Sequence, residues 1–378
     1  MHSDVLVFTK FNSENTMFRF IDGKAFEVIA EEPDDMILLD DIIVGMVDSV
    51  KESINACFIK ISSEETGFLS LEDVDFDFVF GKHKDKITPG DLVLCQVKSL
   101  PQKNKGYRLS MKLNLKGRFV VLNTGDNLND HDKITYSSKL SKERKEELSR
   151  LDLKVNTFSC ILRTACETGS DTDILNEFKS LSKVLLNILE NGDKRTAYSR
   201  LYNGSKSLYK RLLDLNPDKI VTDDKEIFDY LKQDSYIENK LSFYEDKKLN
   251  LNVVYKLKEA HDEAVCRKIN LSNGGFLIID KTEALTVIDV NSGKGSSQKN
   301  SIVKTNTEAC FEIRRQLSLR NLSGIIIVDF INMDASSEKE TVSLLKKLFK
   351  DDFVKTTCVG FTKLGLCEIT REKTYMGL

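Results

Sequence analysis

The sequence predicts a multidomain α/β protein that combines a small closed β-barrel with a separate α/β sheet domain. Five or six short strands follow one another within about 80 residues between Asp41 and Val121, separated by glycines and charged turns, which is typical of small barrels. The last hundred or so residues contain a strand–loop–helix–strand pattern, which predicts two parallel strands joined by a crossover. The length of 378 residues suits two or three packed units, at roughly 150 residues per domain.

The composition limits the classes of function. The chain has 56 Lys+Arg and 59 Asp+Glu, a formal net charge of −3, and 40% hydrophobic residues, which is enough for packed cores. This charge excludes a basic protein that coats DNA, but it allows a nucleic-acid enzyme with one positive groove. No apolar run approaches the ~18 residues of a membrane span. The N-terminus lacks a secretory signal, and the eight cysteines form no C-x-x-C motif, so we expect reduced thiols and a cytoplasmic location.

The first elements are predicted from local patterns. Residues 4–9, 17–21 and 25–29 are predicted strands, with Asp22-Gly23 as a hairpin turn. In the middle of the chain, Ser141 is predicted to cap a charged helix, and Ser170 with Asp171 a second one. The second helix has apolar residues at helical spacing, namely Ile174, Leu175, Phe178, Leu181, Val184, Leu185 and Ile188. A polar helical region of this kind is more typical of a scaffold than of a site.

The C-terminal region is the most informative. Strands are predicted at 276–280, 284–290, 324–330 and 357–362, and helices at about 302–321 and 338–350. A polar loop from Asn291 to Ser301 precedes the first of these helices. That helix has Ala309, Ile313 and Leu317 on one face, which indicates packing against a sheet.

Two aspartates end the strands of the crossover. Asp289 and Asp329 should converge, because ligand sites form beyond the carboxyl ends of parallel strands. Asn291 should share their face, and two carboxylates suit a hard cation such as Mg²⁺. The alternative, that both aspartates are strand-end caps or turn residues, stays open because strand-end aspartates are common.

Two longer motifs resemble the active-site signature of the ribonuclease E/G endoribonucleases. The first runs from Gly274 to Leu285 and on through 288–293, and the second from Arg315 to Gly324 and on through 328–333, followed by 365–371. The similarity is most specific over roughly 270–372, and a weaker similarity extends back to the first strand. The resemblance implies an endoribonuclease that uses Mg²⁺, or Mn²⁺ as an alternative, to cleave single-stranded, A/U-rich RNA to 5′-phosphate and 3′-hydroxyl ends in mRNA decay or rRNA processing.

The resemblance also implies an architecture. Residues 1–35 with 215–275 would form an RNase H-like subdomain, and 36–117 an inserted S1-type OB-fold domain that binds RNA. Residues 118–214 would form a 5′-end sensor region, and 276–378 a DNase I-like catalytic subdomain.

Site residues follow from the matched motifs. The resemblance implies catalytic roles for Asp289, Asn291 and Asp329, of which the two aspartates would hold the metal. It implies RNA contacts for Phe58, Phe68 and Lys105, although both phenylalanines taken alone are more typical of a core. It implies 5′-phosphate binding by Gly117, Val121, Arg163, Thr164 and Lys355.

Several departures and alternatives accompany this prediction. Lys355 stands where the family often has Arg, and 170–173 is acidic beside the expected phosphate pocket. The family's Cys-containing zinc-link is not matched, so we expect no structural zinc and no zinc-linked dimer, while another homo-oligomer stays open. The alternatives are a non-catalytic RNA-binding protein of the same fold and a metal-dependent phosphodiesterase acting on DNA or small nucleotides.

Overall fold

The computed structural model describes residues 3–83, 85–101, 106–124, 134–154, 157–204, 206–246, 248–293, 299–350 and 352–373. The chain forms two compact units, of which one is Glu32–Leu215 and the other combines Met1–Glu31 with Asn216–Leu378. Within the described ranges, no helix is both long and apolar enough to cross a membrane. The subdomain boundaries given above stay predictions.

The chain begins with a three-stranded antiparallel meander, which confirms the predicted N-terminal strands. The strands are β1 (Asp4–Phe11), β2 (Glu14–Ile21) and β3 (Lys24–Ala30). Asp22 and Gly23 have φ of 51° and 76°, the positive values that a two-residue hairpin turn requires.

A closed barrel follows and confirms the predicted barrel. Its sheet contains β4 (Ile42–Lys51), β5 (Ala56–Lys60), β6 (Thr66–Ser70), β7 (Val79–Phe80), β8 (Leu92–Ser99) and β9 (Tyr107–Ser110). The ring closes in the order β4-β5-β6-β9-β8, because β8 also pairs with β4, and β7 adds to β8 outside the ring. Alternate residues of the strands, such as Cys57, Ile59 and Leu69, are buried. This closure is consistent with an OB-like fold.

The rest of this unit is a small sheet with helices. Its elements are β10 (Asn114–Lys116), β11 (Val120–Asn123), β12 (Ile134–Tyr136), α1 (Lys142–Leu148), β13 (Ser159–Leu162), α2 (Asp171–Asn191), β14 (Arg200–Tyr202) and α3 (Ser207–Leu212). Short 3₁₀ helices of the unit are Glu52–Ile54, Leu71–Asp73, Phe76–Phe78, Thr164–Glu167 and Gly192–Lys194. The small sheet has the order β10-β11-β13-β12, while β14 joins the barrel strand β4.

Both predicted helix caps of this unit are confirmed. The side chains of Ser141 and Ser170 accept backbone N–H bonds at the starts of α1 and α2. The acidic run at 170–173 is therefore the first turn of α2. Carboxylates are favourable there because they face the positive end of the helix dipole.

The other unit resumes with a parallel extension of the meander. Its next elements are β15 (Lys219–Thr222), α4 (Lys225–Leu231), α5 (Ser235–Glu238), β16 (Leu241–Phe243), α6 (Leu251–Val254) and α7 (Leu257–Val265). β15 pairs in parallel with both β1 and β16, which gives a five-stranded sheet of order β16-β15-β1-β2-β3. Val7, Phe18, Val221 and Leu257 belong to one buried cluster on this sheet.

A six-stranded sheet completes the chain. Its elements are β17 (Lys268–Asn270), β18 (Phe276–Lys281), β19 (Thr286–Asn291), α8 (Lys299–Leu319), β20 (Gly324–Asp329), α9 (Ala335–Phe349), β21 (Thr356–Phe361) and β22 (Cys367–Arg371). The strand order is β17-β18-β19-β20-β22-β21. The predicted crossover is confirmed, because β19 and β20 are parallel neighbours. The other pairs are antiparallel. Short turns join β17–β18, β18–β19 and β21–β22, whereas α9 and β21 come between β20 and β22.

The two faces of this sheet differ. Ala309, Ile313 and Leu317 of α8 are fully buried against one face, as the helical spacing predicted, and α9 contributes Leu345. The opposite face exposes apolar side chains, among them Val287, Ile325 and Val359. We call this opposite face the open face of the sheet.

Candidate functional site

Two carboxylates lie side by side on the open face. Asp289 of β19 and Asp329 at the end of β20 are in-register neighbours on parallel strands. Ile288, Val290 and Val328, which alternate with them, are buried in the core beneath α8. The predicted convergence of the two aspartates is therefore confirmed, and both are exposed to solvent.

Asn291 orients one of these carboxylates. Its Nδ2 donates a hydrogen bond to Asp289 Oδ2 at 2.7 Å, as expected for residues two apart on one strand face. One oxygen of Asp289 is thereby held by the amide, while its other oxygen stays available to a ligand.

The donor set fits a cation that keeps much of its own hydration. No group of three or more His, Cys, Asp or Glu side chains among the described residues is placed to hold a metal ion. A pair of exposed carboxylates with a neighbouring amide is instead the kind of site that Mg²⁺ uses, since Mg²⁺ binds one or two carboxylates and several waters. Asp289 and Asp329 would be its protein ligands. A structural zinc ion would instead demand four protein ligands.

Glycines allow the backbone to pack closely beside the carboxylates. A Cβ on Gly293 would lie 2.5 Å from the carbonyl oxygen of Gly274, and one on Gly275 would lie 2.8 Å from that of Asn291. Gly274 also has a φ of 87°, which favours glycine. The turn before β18 is thus held against the end of β19. The central part of the predicted polar loop, 294–298, lies outside the described residues.

A buried amide fixes the end of β20. Asn306 of α8 is 1% exposed. Its Nδ2 donates to the carbonyl oxygen of Ile331 at 2.7 Å, and its Oδ1 accepts from the N–H of Ile331 at 3.2 Å. The backbone just after Asp329 is therefore attached to the helix. Sequence reasoning missed Asn306, although a polar residue three positions before Ala309, on the apolar face of α8, was a usable signal.

Other residues of the matched motifs are structural. Arg315 forms ion pairs with Glu263 of α7 and Glu312, and donates to the carbonyl oxygen of Ala25 at 2.6 Å. Arg371 is buried and donates to Asp352 Oδ2 at 3.1 Å and to the carbonyl oxygen of Leu322 at 2.8 Å. These arginines hold α8 and the segment after it in place. Their role is therefore to support the fold around the two aspartates.

The predicted aromatic pair lies on the outside of the barrel. Phe58 of β5 and Phe68 of β6 are in register, half-buried, and form an edge-to-face pair with ring centroids 6.2 Å apart. The interpretation of both as core residues is wrong, because their strand neighbours occupy the interior. Arg108 of β9, which sequence reasoning missed, is exposed and in register with Phe68. Lys105 lies outside the described residues.

Four of the predicted 5′-phosphate residues lie near one another in the small sheet. Val121 of β11 pairs with β13, after which Arg163 and Thr164 follow. Arg163 Nη1 donates to the carbonyl oxygen of Gly117 at 2.5 Å, and Thr164 shares a 2.8 Å hydroxyl contact with Ser137. The fifth residue, Lys355, belongs to the other unit, and its Nζ is 3.6 Å from a carboxylate oxygen of Glu372.

Carboxylates of the chain already engage the cationic side chains and backbone N–H groups of this region. Arg163 is ion-paired with Asp214, to which Lys116 also donates at 2.8 Å. Burial lowers the pKa of Lys116, and Asp214 opposes this effect. The side chain of Glu177 accepts the backbone N–H groups of residues 118–120 at 2.7–2.9 Å. Burial raises the pKa of Glu177, and these three hydrogen bonds oppose that rise.

The fold and the site together define a mixed α/β protein that has an OB-like barrel and paired carboxylates at the ends of two parallel strands. The sequence model of the Ribonuclease E/G family matches residues 114–374. The chain therefore belongs to the ribonuclease E/G family, as the motifs predicted.

Individual relatives extend the match over most of the chain. Ribonuclease G of Haemophilus influenzae is 31% identical over 382 residues, which cover 93% of this chain and 76% of that protein. Ribonuclease G of Escherichia coli K12 is 30% identical over 390 residues, with 95% and 78% covered. Ribonuclease E of a Synechocystis species is 32% identical over 361 residues, with 88% of this chain and only 52% of that longer protein covered.

Proposed function

We propose that this protein is an endoribonuclease that cleaves single-stranded RNA at the Asp289–Asn291–Asp329 site. The observation that carries the proposal is the in-register placement of Asp289 and Asp329 on parallel strands. Membership of the ribonuclease E/G family supports the same activity. Single-stranded, A/U-rich segments are the proposed substrates, within RNA processing and decay.

The reaction is hydrolysis of a phosphodiester bond. Water attacks phosphorus and the bond from phosphorus to the 3′ oxygen breaks, which leaves a 5′-phosphate on one product and a 3′-hydroxyl on the other. Mg²⁺, or Mn²⁺ in its place, would be held by Asp289 and Asp329 and would supply charge neutralisation at the phosphate and a water of lowered pKa. Asn291 holds Asp289 in the orientation that the site requires. Because water and not the RNA 2′-hydroxyl attacks phosphorus, the reaction needs no pair of histidines.

RNA binding is proposed for the barrel and for the small sheet. The outer aromatic pair of Phe58 and Phe68 offers ring faces and edges to unpaired bases, with Lys105 as a phosphate contact. Gly117, Val121, Arg163 and Thr164 are the proposed 5′-phosphate group, and the phosphate-binding role of Lys355, in the other unit, stays a separate prediction. In that group an RNA end must compete with Asp214 for Arg163.

The test is cleavage of a short fluorescent single-stranded RNA with Mg²⁺ or with EDTA. We expect Asp289→Asn and Asp329→Asn to lower the rate by at least about 100-fold while RNA binding persists. Each substitution would remove a ligand of the metal, and the electrostatic stabilisation that the metal would supply is usually the largest contribution to such catalysis. Asp280→Asn is the matched control, since Asp280 shares the open face and pairs with Arg267.

Three outcomes would contradict the proposal. Unchanged cleavage in both site variants would show that the carboxylates are not the active site. Intact RNA binding without cleavage by the wild type under any metal condition would favour the non-catalytic RNA-binding protein. Equal competition by DNA of the same sequence would favour a general phosphodiesterase.

A further inference from the structure

A lysine–phenylalanine pair lies beside the carboxylates on the open face. Phe276, the first residue of β18, is in register with Asn291 on β19. One strand further out, Lys268 of β17 is in register with Ile278, which itself pairs with Asp289. Residues directly opposite on antiparallel strands have Cβ atoms roughly 5 Å apart, so the Phe276 ring borders the site directly.

The two side chains form a cation–π contact. Lys268 Nζ lies 4.0 Å from the centroid of the Phe276 ring. Lys268 is exposed and Phe276 is half-buried. The next residue on each strand, Ile269 or Leu277, points into the core beneath α8. Among the residues that the structure describes, no carboxylate lies within ion-pair distance of Lys268 Nζ. The pair therefore neither fills the core nor neutralises an acidic group.

We propose that Phe276 and Lys268 form a nucleotide subsite for the RNA residue next to the scissile phosphate. The Phe276 ring stacks on the unpaired base, and the Lys268 ammonium binds a neighbouring backbone phosphate. This inference rests on the proposed function, because it assigns the subsite to the same substrate strand.

The chemistry of the pair suits this role. An exposed cation–π contact is weak, and the lysine stem is flexible, so the ammonium can leave the ring for a phosphate when RNA arrives. The ring face that it vacates is then free for a base, and base–aromatic stacking is tolerant of sequence. The cation also offsets the repulsion that the two neighbouring carboxylates exert on the RNA backbone. Recognition here is of an unpaired nucleotide, without a fixed base identity.

Binding and cleavage of RNA test the subsite separately. RNA binding is measured in EDTA, and steady-state cleavage with Mg²⁺, for wild type, Phe276→Leu and Lys268→Gln. We expect Phe276→Leu to weaken binding about tenfold and to raise KM similarly with little change in kcat. For Lys268→Gln we measure the logarithm of the RNA association constant against the logarithm of the salt concentration. We expect the slope to become shallower by about 0.7, because one phosphate contact is lost.

An RNA with one abasic residue beside the cleavage position separates stacking from a structural effect. The abasic change should weaken binding to the wild type about tenfold and have little effect on binding to Phe276→Leu, because the ring is already absent. Phe276→Tyr should retain wild-type binding. Lys281→Gln is the charge control, since Lys281 belongs to the same strand but alternates to the other face.

The outcomes separate this inference from the proposed function. Wild-type affinity and salt slope in both Phe276→Leu and Lys268→Gln would overturn the subsite. So would equal losses from the abasic residue in wild type and Phe276→Leu. A wild type that does not cleave in Mg²⁺ would instead overturn the proposed function, while the binding measurements in EDTA would still decide the subsite.

Discussion

The guanidinium of Arg163 is ion-paired with the carboxylate of Asp214, which lies far along the chain in the same unit. Both partners are largely buried, with side-chain exposures of 21% and 7%. Lys116 adds a second cation to the same carboxylate. An internal carboxylate thus takes the position at Arg163 that a terminal phosphate would need.

Removal of the Asp214 charge tests the proposed recognition of the RNA 5′ end. We expect Asp214→Asn to increase the ratio of cleavage rates for 5′-monophosphate and 5′-hydroxyl RNA by about fivefold, since a charge-assisted hydrogen bond contributes about 1 kcal/mol or more. The measurement compares both RNAs in single-turnover cleavage. Asp152→Asn, an exposed aspartate of the same unit, is the control. An unchanged ratio in both Asp214→Asn and Arg163→Gln would show that Arg163 does not contact the 5′ end.

Loss of the amide beside Asp289 should weaken binding of the proposed metal, so that more Mg²⁺ is needed for activity. Asn291→Ala removes the 2.7 Å hydrogen bond that orients the carboxylate. We expect about 10–100-fold lower activity at limiting Mg²⁺, partly recovered at high Mg²⁺, as for other residues that orient metal ligands. A Mg²⁺ titration of the cleavage rate measures this effect, with the exposed Asn239→Ala as control. A Mg²⁺ dependence identical to that of the wild type would contradict the orienting role.

Asn306 should contribute to stability as well as to the position of β20. Asn306→Ala leaves both backbone groups of Ile331 without their side-chain partner, so we expect the free energy of unfolding to fall by about 1–3 kcal/mol. Urea denaturation measures the change. Thr307→Ala, at an exposed position of the same helix, should stay within about 0.5 kcal/mol of the wild type. Equal effects of the two substitutions would show that the buried amide adds nothing specific.

A half-buried lysine should make the barrel unit more stable as the pH rises above about 8. Burial lowers the pKa of Lys98 from its ordinary value of 10.5 to about 8, and its Nζ donates to Gln96 Oε1 at 2.7 Å. Between those two pH values the unfolded chain binds more protons at this residue than the folded chain does. The contribution of Lys98 to the free energy of unfolding therefore rises as the pH rises from about 8 to about 10.5.

Lys98→Met tests the direction of this pH dependence directly. The variant should be more stable than the wild type at pH 7, and the difference should shrink as the pH rises past 8, because the cost of the buried charge disappears. Gln96 Oε1 keeps the N–H of Asn114 as a donor at 2.8 Å, so the substitution leaves no orphaned acceptor. Urea denaturation across this pH range is the measurement, with the exposed Lys82→Met as control. Parallel pH profiles of Lys98→Met and the wild type would contradict a lowered pKa.

Local patterns were sufficient for the part of the site that lies on the crossover. The spacing of Ala309, Ile313 and Leu317 predicted α8, and the crossover rule then placed Asp289 beside Asp329. The alternation of a strand likewise placed Asn291 next to Asp289. These features depend on short-range periodicity and on general topology, both of which can be read from one sequence.

Partners that come from distant segments could not be predicted in this way. Nothing in the sequence around Asp214 indicates that it pairs with Arg163, because the contact depends on how the small sheet and α3 pack. The pairing of Lys268 with Phe276 depends on the register of β17, a three-residue strand with too little sequence to show a period. The split of one unit between the two ends of the chain has no local signal either.

The split unit has a consequence during synthesis on the ribosome. The meander of β1–β3 is made first, but the strand that covers the other edge of β1 is β15, whose Lys219–Thr222 emerge only after the whole intervening unit. At ~5–20 residues per second, the nascent meander waits roughly 10–40 s with that edge open. An open edge is a template for pairing with other chains, so slow translation should favour aggregation of nascent chains. The inserted unit, Glu32–Leu215, has all its residues available earlier and can fold before its host.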